Sequence, residues 1–277
     1  AQKARVIKAL HLSGHVVGFL GDGINDGPAL KAADVGVSVD TAVDIAKESA
    51  DIILLEKSLL VLEAGVIEGR KVFGNITKYI KMGASSNFGN AFSVLGASAF
   101  LPFLPMLPVQ ILVNNLLYDL SQTAIATDNV DDEYLAAPRQ WDIDNISRYM
   151  LFLGPVSSLF DYVTFAVLIG LFGAWTHAEL FQTGWFVESL VSQTLIVHVI
   201  RTGRIPFVES RPSLPLLVTT VGICLLGLWL PTSFLAPALG LVALPWGFAV
   251  ALVFIVGGYM LLTQFVKVWM IRRFGLS

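Results

Sequence analysis

The chain has 277 residues, of which 55% are hydrophobic and only 14% charged, whereas soluble domains run near 45–50% apolar and about 25% charged. A wholly soluble protein is therefore excluded. Eighteen basic against 21 acidic residues give a net charge of −3, with no basic stripe to neutralise phosphates, which argues against a nucleic-acid partner; the single Cys224 rules out an internal disulfide.

The amino terminus, Ala1-Gln2-Lys3-Ala4-Arg5, lacks the apolar core and small-residue cleavage site of a signal peptide and reads as the middle of a longer chain. Residues 3 to 13 place Val6, Ile7 and Leu10 at helical spacing. Val16 to Leu20 form a short apolar run that stops at Gly21. An acidic loop follows, Gly21-Asp22-Gly23-Ile24-Asn25-Asp26-Gly27-Pro28. Beyond it the sequence predicts a helical turn over Ala29 to Ala33, a buried strand over Val35 to Val39, a helix over Ala42 to Ser49 and a strand over Asp51 to Leu55. Helices alternating with apolar strands imply a small parallel α/β sheet, residues 1–57, cut from a larger one. From Ser58 to Lys81 a long helical pattern with Lys57, Glu63, Glu68, Arg70, Lys71 and Lys78 beside it reads as a stalk.

Six membrane-length segments follow at about 79–100, 106–126, 149–172, 184–200, 213–233 and 246–266, each near the ~20 residues that cross ~30 Å of hydrocarbon. Together they make residues 79–277 an all-α bundle of six transmembrane helices. Positive charge clusters at Lys71–Lys81, Arg139–Arg148, Arg201–Arg211 and Lys267–Arg273, with none between. By the positive-inside rule these clusters are cytoplasmic, which puts the carboxy terminus on that side and lipid around the bundle. The run Asp128-Asn129-Val130-Asp131-Asp132-Glu133 reads as a solvated loop.

The acidic loop carries the chemistry. Gly21 and Gly23 permit backbone conformations that other residues disfavour and let amides approach a phosphate, while Asp22 and Asp26 supply hard oxygen ligands for Mg²⁺ and Asn25 a neutral donor. A plain Asp/Gly/Asn turn after a strand has the same composition.

Polar groups in a bilayer are expensive, so those in the spans are candidates for a transport path. Asn87 and Asn90 share one helical face at spacing three, and Asn115 and Asp119 share one at spacing four. Asp161 adds a second carboxylate; Glu188, near the start of the fourth span, is the weaker candidate. Asn114, Ser85, Ser86 and Gln193 read as hydrogen bonds between helices, and His198 as interfacial structure. One or two carboxylates with neutral amides suit a hard cation that keeps much of its water, which describes Mg²⁺ better than Ca²⁺. No cluster of Cys or Met lines the spans to favour a soft metal.

The string GDGINDGPALKAADVGVSV, with Asp51-Ile-Ile-Leu54 after it, resembles the hinge end of the haloacid-dehalogenase-like phosphorylation domain of P-type ATPases. The resemblance implies that Asp22 and Asp26 help place a catalytic Mg²⁺ and that Asn25 contacts phosphate; an upstream phosphate-binding lysine has a weak candidate in Lys3. Gly27 stands where Ala is usual and Leu20 where Thr is common. The family's Asp-Lys-Thr-Gly phosphorylation motif, its nucleotide-binding domain and its Thr-Gly-Glu loop do not occur in these residues. The expectation is a carboxy-terminal part of a pump, inactive alone and working with ATP and the remainder of the pump chain.

The stretches Ala84-Ser-Ser-Asn-Phe-Gly-Asn90, Phe103-Leu-Pro-Met-Leu-Pro108, Leu116-Leu-Tyr-Asp-Leu-Ser-Gln122, Phe160-Asp161, Gly184-Trp-Phe and Ser192-Gln-Thr-Leu-Ile-Val-His198 are similar to the magnesium-transporting branch of that family. This implies Mg²⁺ import through an aspartyl-phosphate cycle at a bacterial inner membrane. A calcium or other cation pump, a passive channel or scaffold with a vestigial soluble segment, and a membrane-tethered phosphatase are the alternatives.

Overall fold

The computed structural model describes residues 2–275 of the chain. By internal packing the chain divides into two compact units, Ala1–Gly69 and Arg70–Ser277.

The first unit alternates helix and strand. Helix α1 (Gln2–Leu12) leads to β1 (Gly18–Leu20), a 3-10 turn (Ile24–Asp26), α2 (Gly27–Leu30), β2 (Val35–Val39), α3 (Asp44–Ser49) and β3 (Ile52–Leu54). The strands form one parallel sheet in the order β1-β2-β3, with Gly18 opposite Val35 and Val37 opposite Ile52. Parallel strands need crossovers, and α2 and α3 supply them. Leu30, Val39, Ala42 and Ala46 make the small core, with Phe19 and Leu54 packed against it. All three strands fall inside the predicted apolar runs.

The second unit is helical. A helix of 42 residues, α4 (Leu59–Phe100), carries the boundary between the units, so the predicted stalk and first span are one unbroken helix. Then come α5 (Pro108–Gln122), a 3-10 stretch (Thr123–Thr127), α6 (Asp132–Leu135), α7 (Ile143–Phe172), α8 (Ala178–Ile200), α9 (Leu214–Trp229) with a 3-10 turn (Leu230–Thr232), α10 (Ala236–Leu239) and α11 (Trp246–Phe274). Four of these are long and apolar enough to cross a membrane: α7, α8, α9 with its 3-10 turn, and α11. The chain is thus a membrane protein. The other two expected spans fall in the second half of α4, which carries Ser85, Ser86, Asn87 and Asn90, and in α5, whose 15 residues rise about 22 Å.

Helix α8 packs against α5, α7, α9 and α11. Nearly all of its residues from Phe181 onward are buried, as expected for a helix enclosed on every side. Around it Phe165, Phe181, Trp185, Phe186, Leu190 and Phe248 form the main core, with the Phe165 and Trp185 rings edge to face at 5.0 Å. By contrast Val218, Leu225, Val253, Phe254, Leu261 and Phe265 on α9 and α11 are exposed, an apolar surface of the kind lipid covers. Helix α4 meets α7 at two glycines: a Cβ on Gly89 would lie 2.9 Å from the Gly154 carbonyl oxygen, and Ser158 Oγ donates to Gly89 O at 2.9 Å.

Candidate functional site

In the first unit the acidic loop leaves β1 and turns through the 3-10 residues into α2, with Pro28 in its first turn. Gly21 N donates to Val37 O at 3.0 Å and Ser38 Oγ donates to Gly21 O at 2.8 Å, so β2 fixes the start of the loop. Asp26 folds back: its Oδ2 accepts from Gly23 N at 3.2 Å. A Cβ on Gly21 would sit 2.6 Å from Asp26 Cβ, so Gly21 is required by close approach. That corrects the expectation that Gly21 and Gly23 adopt conformations other residues disfavour. Neither has positive φ, and Gly23 is extended at φ −105°.

The two carboxylates differ in setting. Asp26 is 9% exposed at its side chain and binds Lys3 Nζ of α1 through Oδ1. The lysine, helped by the Gly23 amide, holds the Asp26 carboxyl below its usual range against the opposing effect of burial. Asp22 is 55% exposed and pairs with Lys57 at 2.8 Å. The Lys57 ammonium lowers the Asp22 carboxyl and is itself raised by it. Asn25 is exposed. Lys3, the weak candidate in the sequence, therefore lies on the loop, and Lys57, two residues before α4, is a partner that sequence reasoning missed. Two hard oxygen donors on one loop fit Mg²⁺, which is commonly held by one or two carboxylates while phosphate and water fill the remaining positions. Among the described residues no group of three or more His, Cys, Asp or Glu could hold a metal.

In the second unit the polar residues separate into two sets. Asn87, Asn115 and Asp119 are exposed on the unit. On α5 the buried face runs through Asn114, Leu117, Tyr118 and Ser121, which leaves Asn115 and Asp119 together on the other face. Ser86 Oγ and Tyr118 OH, each one residue before Asn87 and Asp119, are 3.2 Å apart and hold α4 beside α5. Asn90 and Asp161 turn inward. Asn90 Oδ1 accepts from Gln193 Nε2 at 2.9 Å, and Gln193 also donates to Ser189 Oγ at 2.6 Å. Asp161 accepts from Trp185 Nε1 at 2.8 Å and from Ser93 Oγ, and Glu188 of α8 lies against it. Glu188 was the less favoured residue in the sequence. Its position one turn after Trp185, on a helix crowded with Ser, Thr and Gln, was the available signal.

The acidic run 128–133 is not simply a solvated loop. Asp128 is buried and its Oδ2 pairs with Arg201 Nε at 2.7 Å and Lys78 Nζ at 2.9 Å. Asp131 accepts from Thr202 Oγ1, Gly203 N and Ser210 Oγ. Counter-charges at Lys78 and Arg201, distant in sequence, make the burial possible.

Residues 103–269 match the family described as "Cation transporting ATPase, C-terminus". The chain is 60% identical over 275 residues, 99% of its length, to "Magnesium-transporting ATPase, P-type 1" of Escherichia coli (strain K12), and 56% identical over 277 residues to a protein of that name from Salmonella typhimurium (strain LT2). It covers 31% and 30% of those two proteins. An endoplasmic reticulum calcium ATPase of Aspergillus fumigatus is 36% identical over 154 residues, 55% of this chain and 16% of that protein. The chain thus spans about a third of the length of these two magnesium-transporting relatives. With a family match over more than half of the residues, added to an acidic loop and a helical unit with polar groups on its inner helices, this chain belongs to the cation-transporting ATPase family, in that family's carboxy-terminal part.

Proposed function

We propose that the chain is the carboxy-terminal part of an ATP-driven magnesium transporter that works through an aspartyl-phosphate cycle. One observation carries the reading: the identity to proteins named as magnesium-transporting ATPases runs through 99% of the chain, so loop and helices are matched together. Residues 1–57 are the end of a haloacid-dehalogenase-like phosphorylation domain, 58–81 a stalk and 79–277 a membrane domain of six spans. The second half of α4 and the α5 segment are the less apolar spans because they bear the ion path.

In this reading a segment outside the chain supplies the phosphoryl acceptor and most of the ATP site, and the isolated chain has no ATP turnover. Bound Mg²⁺ supplies charge neutralisation for phosphoryl transfer. Asp22 and Asp26 hold it, Asn25 reaches a phosphate oxygen, and Lys3 fixes Asp26 and adds positive charge. Gly21 and Gly23 keep the loop close to its ligand. The stalk carries the movement of the phosphorylation domain to Asn87, Asn90, Asn115, Asp119 and Asp161, the oxygens offered to the cation. Asn87, Asn115 and Asp119 stay open on this unit for ligands from the rest of the pump. The protein lies in a bacterial inner membrane with its carboxy terminus in the cytoplasm, and transport runs inward.

A calcium pump is the second reading, favoured by the 36% identity to a calcium ATPase over 55% of the chain. Sealed vesicles bearing the full-length protein decide between them. ATP-dependent accumulation of Mg²⁺ with no accumulation of Ca²⁺ is expected, and the converse overturns the magnesium reading. Accumulation of either ion without ATP overturns the pump itself.

A further inference from the structure

One buried ammonium in the helical unit has no anion. Lys81 of α4 is 7% exposed, and its Nζ lies 4.3 Å from the centre of the Tyr149 ring of α7. A ring face attracts a cation, but an ammonium carries three N–H donors that a ring cannot fill. Among the described residues no carboxylate pairs with Lys81 and no oxygen accepts from its Nζ. The neighbouring buried cations are all provided for. Lys78 and Arg201 share Asp128, and Lys267 donates to Val199 O, Thr202 O and Arg204 O. A charge buried without a partner is costly, so Lys81 is a place prepared for an anion that arrives from outside.

The space for that anion lies beside it. Lys81 lines two cavities, of about 260 and 340 Å³, which share Thr77 and Tyr134 as well. In the first the other charges are already spent: Asp131 accepts from Thr202, Gly203 and Ser210, and Arg204 pairs with Glu133. The second is bounded by the connection from α6 to α7, with Arg139, Trp141 and Asn145 in its wall. The Arg139 guanidinium rests 5.2 Å from the centre of the Tyr134 ring, and among the described residues no carboxylate pairs with it. Asp142, the acid on this cavity, is taken up in capping α7, where it accepts from Asn145 N at 2.8 Å. Two cations without anions, one buried and one exposed, thus border the larger cavity. The side-chain oxygen of Asn145 is buried without a hydrogen-bond partner. A ligand that satisfies all three brings negative charge and a donor together.

We propose that the cavity between Lys81 and Arg139 binds inorganic phosphate, with Lys81 and Arg139 on its charged oxygens and Asn145 Oδ1 accepting from its O–H. At neutral pH phosphate keeps at least one proton, which sulfate and the phosphodiester of a membrane lipid lack. Lysine supplies a point charge and arginine a planar fork, both suited to phosphate oxygens. The site is separate from the acidic loop of the first unit and from the open face of Asn87, Asn115 and Asp119, and it does not rest on the identity of the transported ion.

The test is calorimetric titration of the full-length protein in detergent with inorganic phosphate, in the presence of EDTA so that the acidic loop carries no Mg²⁺. Wild type is expected to bind phosphate more tightly than sulfate. Arg139→Gln and Lys81→Met are each expected to weaken phosphate binding by about 10-fold or more, whereas Lys3→Met leaves it unchanged. Arg139 is exposed, so its variant decides the matter even where Lys81→Met fails to fold. Equal affinity of wild type and Arg139→Gln overturns the proposal, as does equal binding of sulfate and phosphate. Loss of binding in Lys3→Met overturns it by placing the ion on the acidic loop. Absence of phosphate binding also overturns it, and Arg139-dependent binding to phosphatidylglycerol vesicles in its stead would assign the cavity to a lipid headgroup.

Discussion

Asp128 and Arg201, separated by 73 positions, meet at 2.7 Å with both side chains sealed from solvent. The same carboxylate oxygen takes Lys78 of α4 at 2.9 Å, and the other accepts from Ser213 N at the start of α9 at 3.1 Å. One buried carboxylate therefore ties α4, the end of α8 and the start of α9 to the segment after α5. Burial works against its charge, and Arg201 with Lys78 outweighs burial, so the Asp128 carboxyl sits below its usual value near 3.8.

Asp128→Ala leaves two buried cations without an anion and is expected to destabilise the second unit by about 3–5 kcal/mol, read as a lowered Tm in detergent. The acid response has a defined sign. A carboxyl with a depressed folded value contributes its full stability above the unfolded value near 3.8 and loses it as pH falls through the lower folded value. Stability of the wild type should fall below about pH 3.8 more steeply than that of Asp128→Asn.

Lys57 pairs at 2.8 Å with Asp22, a carboxylate proposed to hold Mg²⁺. The pair is exposed, so Lys57→Met is expected to leave Tm unchanged, as for most surface ion pairs. Without that competing cation, the Mg²⁺ concentration that half-saturates phosphoenzyme formation by the full-length protein should fall. A rise would show that Lys57 helps to hold the phosphate instead.

Asp26 and Lys3 are expected to act together. Asp26→Asn removes the anchor of Lys3 and a carboxylate proposed to hold Mg²⁺, and should lower phosphoenzyme formation by on the order of 100-fold. Lys3→Met keeps the carboxylate and should lower it less. Equal levels in wild type and Asp26→Asn would remove Asp26 from the phosphoryl site.

The α4–α7 crossing depends on absent side chains. Gly89→Val pushes atoms into the Gly154 carbonyl and Ser157 Cβ, 2.9 and 3.0 Å from even a single added carbon, and is expected to cost about 1–3 kcal/mol. A Cβ on Gly170, in the same α7, meets nothing within 4 Å, so Gly170→Ala should leave Tm unchanged or slightly raised.

Much of this was legible because it is local. Apolar runs before Gly21 and at Val35 to Val39 announce buried strands, and the four most apolar helices stand out by length. Asp22, Asn25 and Asp26 lie within five residues, so their proximity is written in the loop itself. What the sequence hid is tertiary. Nothing near Asp128 shows that Arg201 arrives from 73 positions away, and an acidic run with unseen partners reads as solvated. Glu188 looked isolated for the same reason, since Asp161 reaches it from another helix. The glycine expectation erred because spacing cannot tell a strained φ from a crowded Cβ.

Asp119 tests the central claim most directly, since it is the carboxylate that α5 leaves open on the helical unit. The measurement is initial Mg²⁺ uptake into sealed vesicles carrying the full-length protein, wild type against Asp119→Asn, over a range of Mg²⁺ concentrations. The half-saturating concentration is expected to rise by at least ~10-fold, with phosphorylation by ATP still detectable. Unchanged uptake at unchanged affinity would contradict the assignment of the transported cation to this face.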